Sequence, residues 1–206
     1  MTIIQARNLL DILVDKANNP YFTSGEKDEF LELALTEFIT KYYAVYDINE
    51  QARAALKGLI KSETPTSGSS AYALPDSMIY ILSVLVQYNA PNDVNDVLNP
   101  FRMAKQVPVA DFSSQADPFN KPSYEDPIYT YTGTSSAGTV IVVSPSIFID
   151  KMTIRYLARP ALTAAFTTTG PKIEETHQHE VVQIAARKML ANIESPNYEV
   201  QSQEAE

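Results

Sequence analysis

Hydrophobic spacing changes twice along this chain, and no single kind of secondary structure satisfies both regimes. Up to about residue 61, apolar residues recur every three or four positions, the period of a helix with one buried face. The polar run "SETPTSGSS", Ser62 to Ser70, then breaks the pattern with Pro65 and Gly68. Beyond it lie short runs rich in β-branched and aromatic residues, and helical spacing returns from about Ile173. A chain that goes helices, strands, helix must segregate the two kinds of element.

The helical signals are local and specific. Thr2 with Gln5, and Thr23 with Glu26, each have the form of a capping box, in which the hydroxyl accepts from a free amide while the third residue reaches back. Ile3, Ala6, Leu10 and Leu13 predict a first helix ending near Pro20, and Phe30, Leu33, Ala34, Phe38 and Tyr42 a second running to about Tyr46. A third is expected from about Asn49 to Lys61 on Ala52, Leu56, Leu59 and Ile60. Val181, Ile184, Ala185, Met189 and Ile193 form the stripe of a last helix, with Glu174 and Glu175 where its dipole favours acids and Pro196 beyond its end. Packed together, these predict an α+β protein built as a four-helix bundle, three N-terminal helices plus a C-terminal one, with an antiparallel β subdomain inserted between the third and fourth. The expected parts are a helical segment 1–62, a β subdomain with a long loop 71–160, the C-terminal helix 172–195, and a polar, acidic tail 196–206.

Within the β subdomain, Met78 to Tyr88 favours a strand, a short buried helix being the alternative that periodicity leaves open. Residues 89–127 hold many turn formers, among them Pro91, Asn92, Pro100 and Pro118, and read as a long ordered excursion. "IYTYTGTSSAGTVIVVSP" gives two strands about a Gly and Ser turn, and Phe148 to Leu157 a third marked by Ile149, Met152, Ile154 and Tyr156.

Composition narrows the chemistry. The 206 residues carry a formal charge of −9, which repels phosphate backbones and disfavours a sequence-reading nucleic-acid binder. There is no cysteine, so disulfides, thiolate metal sites and a cysteine nucleophile are excluded together. "MTIIQARNLL" lacks the continuous apolar stretch of an export signal, and Met78 to Val86 is about half the length of a spanning helix, so a soluble protein is expected. His177 and His179 are the two histidines, and two positions apart in a first helical turn they face away from each other; a small metal-binding enzyme or module centred on them with Glu180 is the alternative to plain exposed polar residues. Glu125 and Asp126 point to opposite sides of an extended segment and do not converge as an acid and base pair. Neither a GxSxG elbow nor a GxxxxGK phosphate loop is present. These absences make a hydrolase a poor fit.

Tyrosine is prominent, with 12 in the chain, and suits interfaces because a large apolar face ends in a polar tip. Tyr124, Tyr129 and Tyr131 are interface candidates on this ground, with Tyr198 in the tail. Exposed tyrosines on the β part also leave open a carbohydrate-binding or adhesin module. Arg155 and Arg159, four apart at the end of the last strand with Tyr156 packing inward, are either an ordinary charged surface or, where copies of the chain assemble, candidates to pair with acids of a neighbouring subunit.

"LPDSMIYILSV" from Leu74, "DPFNKPSYEDPIYTY" from Asp117, "MTIRYLARP" from Met152 and "HEVVQIAARKML" from His179 fall in an order that resembles the head-to-tail connector proteins of crAss-like tailed phages. These are similar in plan to the tail tubular protein A, or gatekeeper, adaptors of short-tailed phages. The likeness covers roughly residues 70–195. It departs where the family often has "YLKKP" and this chain has "YLARP", and where His177 and His179 mix with the acids opening the last helix. The resemblance implies a non-enzymatic virion protein of the head-tail neck, assembled in the host cytoplasm as a twelve-copy ring on the portal protein. It also implies contact with an adjacent ring or tail protein, passage of genomic DNA without sequence readout, and no membrane partner.

Overall fold

The computed structural model describes residues 1–14, 22–65, 68–89, 100–113, 122–135, 138–146, 148–166 and 173–193. The expectations placed on Pro20, Pro91, Asn92, Pro118, Pro196 and the tail lie outside these residues. The chain divides into two compact units, one formed by residues 1–59 and 159–206 and the other by residues 60–158.

In the first unit both capping boxes form as the local sequence dictates. Thr2 opens α1 (Ile3–Leu13) and Thr23 opens α2 (Ser24–Tyr43), each accepting from the third residue's amide and receiving that residue's side chain in return. Two ion pairs fasten α1 to α2. Arg7 donates Nε and an Nη to the two oxygens of Asp28 at 2.8 and 2.5 Å, and Lys27, itself buried, holds Asp11 at 2.6 Å. Leu10, Leu31, Leu35, Phe38, Ile39, Val181 and Val182 are fully buried, each worth roughly 1.5–3 kcal/mol against exposure. The buried face of α2 differs from the expected stripe: Leu33 is 57% exposed, while Leu31, Leu35 and Ile39 are inside.

The last helix, α6 (Glu175–Ile193), buries the expected Val181, Ile184, Ala185 and Met189. It also buries Gln178, whose Nε2 donates to the carbonyls of Ala165, at the end of α5 (Leu162–Ala165), and of Ile173, at 3.1 and 3.0 Å. One side chain thus ties together the two described ends of the connection into α6.

The expected four-helix bundle with a single inserted antiparallel subdomain is not what forms. The third helix, α3 (Glu50–Leu56), is only seven residues long and tightens into a 3₁₀ turn at Lys57–Leu59. Ile60 and Lys61, expected to continue it, belong instead to strand β1 (Ile60–Glu63). A two-turn helix cannot supply a full bundle face. The second unit is likewise larger than one subdomain sheet: its described residues form two four-stranded sheets, and one of them contains a parallel pair.

The first sheet runs in the order β1, β8 (Ile149–Ala158), β3 (Met78–Tyr88), β4 (Arg102–Met103). The second runs β2 (Ala71–Ala73), β7 (Gly138–Ser144), β6 (Ile128–Ser135), β5 (Lys105–Gln106), and the short helix α4 (Val109–Ser113) follows β5. Val84, Val86 and Tyr88 of β3 and Met152, Ile154 and Tyr156 of β8 alternate inward to meet Tyr129, Ile141 and Val143 of the other sheet in one core. The segment from Arg102 to Val107 crosses between the sheets, pairing first with β3 and then with β6. Its backbone bonds run from Ala104 N–H to Val84 O, Lys105 N–H to Pro127 O and Val107 N–H to Tyr129 O at 2.8–2.9 Å. Phe148, just before β8, takes the left-handed conformation with φ 62°, and its carbonyl accepts from Asn89 N–H at 2.7 Å, holding the strand entry against β3.

Gln178→Leu strips two buried carbonyls of their donor and is expected to cost about 2 kcal/mol. Gln178→Glu turns a carboxylate towards the same carbonyls and costs more, increasingly so as pH rises and the ionised form is demanded. Urea unfolding of both variants across pH checks this; equal stability of the Leu variant and the native chain would refute the role given to Gln178.

Candidate interaction surfaces

The most convergent polar group in the second unit is centred on Glu63 at the end of β1. Tyr156 of β8 donates to its Oε1 at 2.5 Å, and Tyr72 of β2 donates to its Oε2. Since β1 and β8 belong to one sheet and β2 to the other, this carboxylate joins the two sheets along that margin. Burial and the hydrogen bond to the carboxylate push the Tyr156 hydroxyl up to about 12. Two phenols donating to one carboxylate make a fastening.

A second group joins α2 to α6. Glu180 accepts from Lys41 Nζ and from Tyr42 hydroxyl, both at 2.7 Å, and His177 Nδ1 lies 3.7 Å away. Burial alone would raise the Glu180 carboxyl, but the bonds from Lys41 and Tyr42 outweigh it and hold the group below the usual carboxylate range. Tyr42 is pushed up to about 12 by burial and by the same bond. The His177 ring sits against Phe38 and Tyr42, with centroids 5.7 and 5.6 Å apart.

His179 is exposed instead, lining a cavity of about 370 Å³ with Lys41, Thr176, Gln183 and Arg187. The two imidazoles thus occupy different surroundings, and no group of three or more potential metal ligands forms among the described residues. Glu125 and Asp126 are exposed in a turn in which Asp126 N–H donates to Ser123 Oγ at 3.1 Å.

The residues expected to serve an interface are divided by the fold. Tyr124 is 40% exposed and stacks edge-on against Tyr88 at 5.1 Å, with the Phe148 ring 6.5 Å away. Tyr129 is buried in the sandwich core, and Tyr131 is half-buried beside it. Arg155 is exposed, opposite Ser62 and Ser83 on its neighbouring strands, and makes no ion pair with a described residue. Arg159 already binds Glu32 of the same chain at 2.9 Å. Tyr156 does pack inward, at 1% exposure. Tyr198 lies outside the described residues.

Two exposed apolar places lie outside the individually named interface candidates. Phe101, Met103 and Val109 are 47%, 63% and 56% exposed along the crossing segment and α4, and Ile48 is 84% exposed in the turn between α2 and α3. The signal was available for the first, because that segment falls in the excursion; a lone isoleucine in a polar turn gives none. No helix among the described residues is long and apolar enough to cross a membrane.

The two fastenings set opposite ends of the stability profile. A tyrosine whose folded value is raised protects the fold fully below about pH 10 and stops doing so as pH climbs through about 12, which applies to Tyr42, Tyr156 and the buried Tyr88. Glu180, held low, contributes above its unfolded value, and that contribution disappears as pH falls through the folded one. Tyr156→Phe is expected to lose about 1.5 kcal/mol at neutral pH and part of the alkaline decline, and Glu180→Gln to flatten the acid limb. Urea unfolding from pH 3 to pH 11.5 measures both; unaltered pH profiles in the two variants would contradict the assignment. Compared with known proteins, the chain matches no family model and no curated protein.

Proposed function

We propose that this chain is a structural virion protein, a head-to-tail adaptor subunit that forms a ring on the portal, lines part of the DNA channel and provides a docking platform for tail components. The observation that carries the reading is the division of labour among its side chains. The principal polar clusters of the described residues close upon themselves as fastenings: Arg7 with Asp28, Lys27 with Asp11, Glu180 with Lys41 and Tyr42, and Glu63 with Tyr72 and Tyr156. Beside the polar residues of the surface, three large apolar side chains, Phe101, Met103 and Ile48, are left exposed. A chain arranged in this way holds a shape and offers surface to other proteins.

Two further features favour it. The resemblance of the ordered motifs from Leu74 to Leu190 is to neck adaptors, which have no enzymatic activity or cofactor. The net charge of −9 suits a wall past which a polyanion must slide without being gripped. Subunits of a closed ring repeat one head-to-tail contact, so each copy needs two different and complementary surfaces.

Mixing the purified chain with the portal protein of its own phage is expected to give a second ring stacked coaxially on the portal in negative-stain images. Portal particles that stay bare at saturating chain would overturn the proposal.

A further inference from the structure

The geometry points to a binding site for a short chain of phosphate groups in the cavity of about 370 Å³ that Lys41 of α2 lines together with α6, wholly within the first unit. The volume lies at the lower end of the range found for small-molecule sites, roughly 300–1,000 Å³. The site is complete in a single copy and asks nothing of a ring.

Hydrogen-bond donors dominate its wall. Thr176, His179, Gln183 and Arg187 succeed one another by three- and four-residue steps, so they stand in a row on one face of α6, and all four are exposed. Each brings an O–H or N–H: a hydroxyl, an imidazole, an amide and a guanidinium. Lys41 adds an ammonium with three donors, one of which goes to Glu180 at 2.7 Å. At a helical rise of about 1.5 Å per residue the row extends about 16 Å along the axis. A single carboxylate has two acceptor oxygens at one point and would leave most of that row unmet. An oligophosphate distributes acceptor oxygens along its length, and the fork of Arg187 can grip one of its phosphates by two parallel bonds.

The acids around the cavity are already matched. Glu180 is the carboxylate in its lining, and its two oxygens accept from Lys41 Nζ and Tyr42 hydroxyl, both at 2.7 Å. Glu37, one turn before Lys41 on α2, is held by Lys188 at 2.6 Å. Glu175, one turn before His179, lines a different cavity, where the Met1 amino group lies 3.5 Å from it. The residues three and four positions from Arg187 on α6 are Gln183, Ile184, Leu190 and Ala191, none of them acidic, and Arg187 makes no ion pair with a described residue. Arg187 thus faces the cavity with its charge uncompensated, beside neutral donors that favour an anion. Other exposed bases of the chain share the first property; the row of donors along a cavity is what sets Arg187 apart.

Isothermal titration calorimetry of the full-length chain at fixed ionic strength tests the site, with tripolyphosphate as the probe and inorganic phosphate and citrate as comparison anions. One tripolyphosphate is expected to bind per chain, at least about tenfold more tightly than either comparison anion. Arg187→Ala weakens binding by at least about tenfold, and Arg187→Lys, which keeps the charge and loses the fork, by less. Gln183→Leu, which leaves charge untouched, weakens it as well. Arg155→Ala, at an exposed base of the second unit, leaves it unchanged. Far-ultraviolet circular dichroism confirms that each variant is folded.

Absence of saturable tripolyphosphate binding by the native chain overturns the site. Citrate bound as tightly would overturn the assignment to phosphate. Equal losses in Arg155→Ala and Arg187→Ala would reduce the effect to diffuse attraction by any base and overturn it too. The adaptor reading is decided separately, by the ring on the portal.

Discussion

Strand β8 is the constraint on which the second unit depends, because it is hydrogen-bonded on both sides, to β1 and to β3, and supplies Met152, Ile154 and Tyr156 to the core shared by the two sheets. Its neighbour β3 runs beside it over nearly its whole length, with register shifts that add twist and let two sheets face each other without a flat interface. With β8 in place, β1 brings Glu63 to the margin where Tyr72 and Tyr156 can both donate to it. On the opposite side of the first sheet, the crossing segment passes from β3 to β6. Both lateral openings of the sandwich are thereby covered, one by side chains and one by backbone.

The polar interactions of the first unit follow the same logic on helices. Lys27 and Asp11, Arg7 and Asp28, and Lys188 with Glu37 each join different helices, so the charges specify which faces meet more than they add net stability. Glu180 does this with a phenol as well as an ammonium, and the aromatic surroundings of His177 continue the contact towards Phe38.

Features determined by near neighbours were legible in the sequence. Both capping boxes, the stripe of α6 and the strands β3 and β8 depend on residues a few positions apart, and their period is visible without a partner. What was not legible depended on distant pairing. Ile60–Glu63 has neither the length nor the alternation to declare itself a strand, and it becomes one by lying against residues 154–157. β4 and β5 are two residues each, below any periodic signal. Leu33 satisfied a helical stripe on paper, but α2 is packed by α1, α3 and α6 over a broader face centred on Leu31, Leu35 and Ile39, which puts Leu33 outside. Among the interface candidates, residue type pointed to tyrosines, while strand β6 sent Tyr129 into the core and the bend before it left Tyr124 outward.

The chain enters the second unit at Ile60 and leaves it beyond Leu157, and these two residues are antiparallel partners on adjacent strands. Their Cα atoms are therefore only about 5 Å apart, the spacing of any such pair. To the flanking helical sequence, the whole sandwich is equivalent to a tight loop. A lineage could lengthen, shorten or exchange everything between those positions without moving the stems from which it springs, so the helical unit and the sandwich are free to diverge at separate rates.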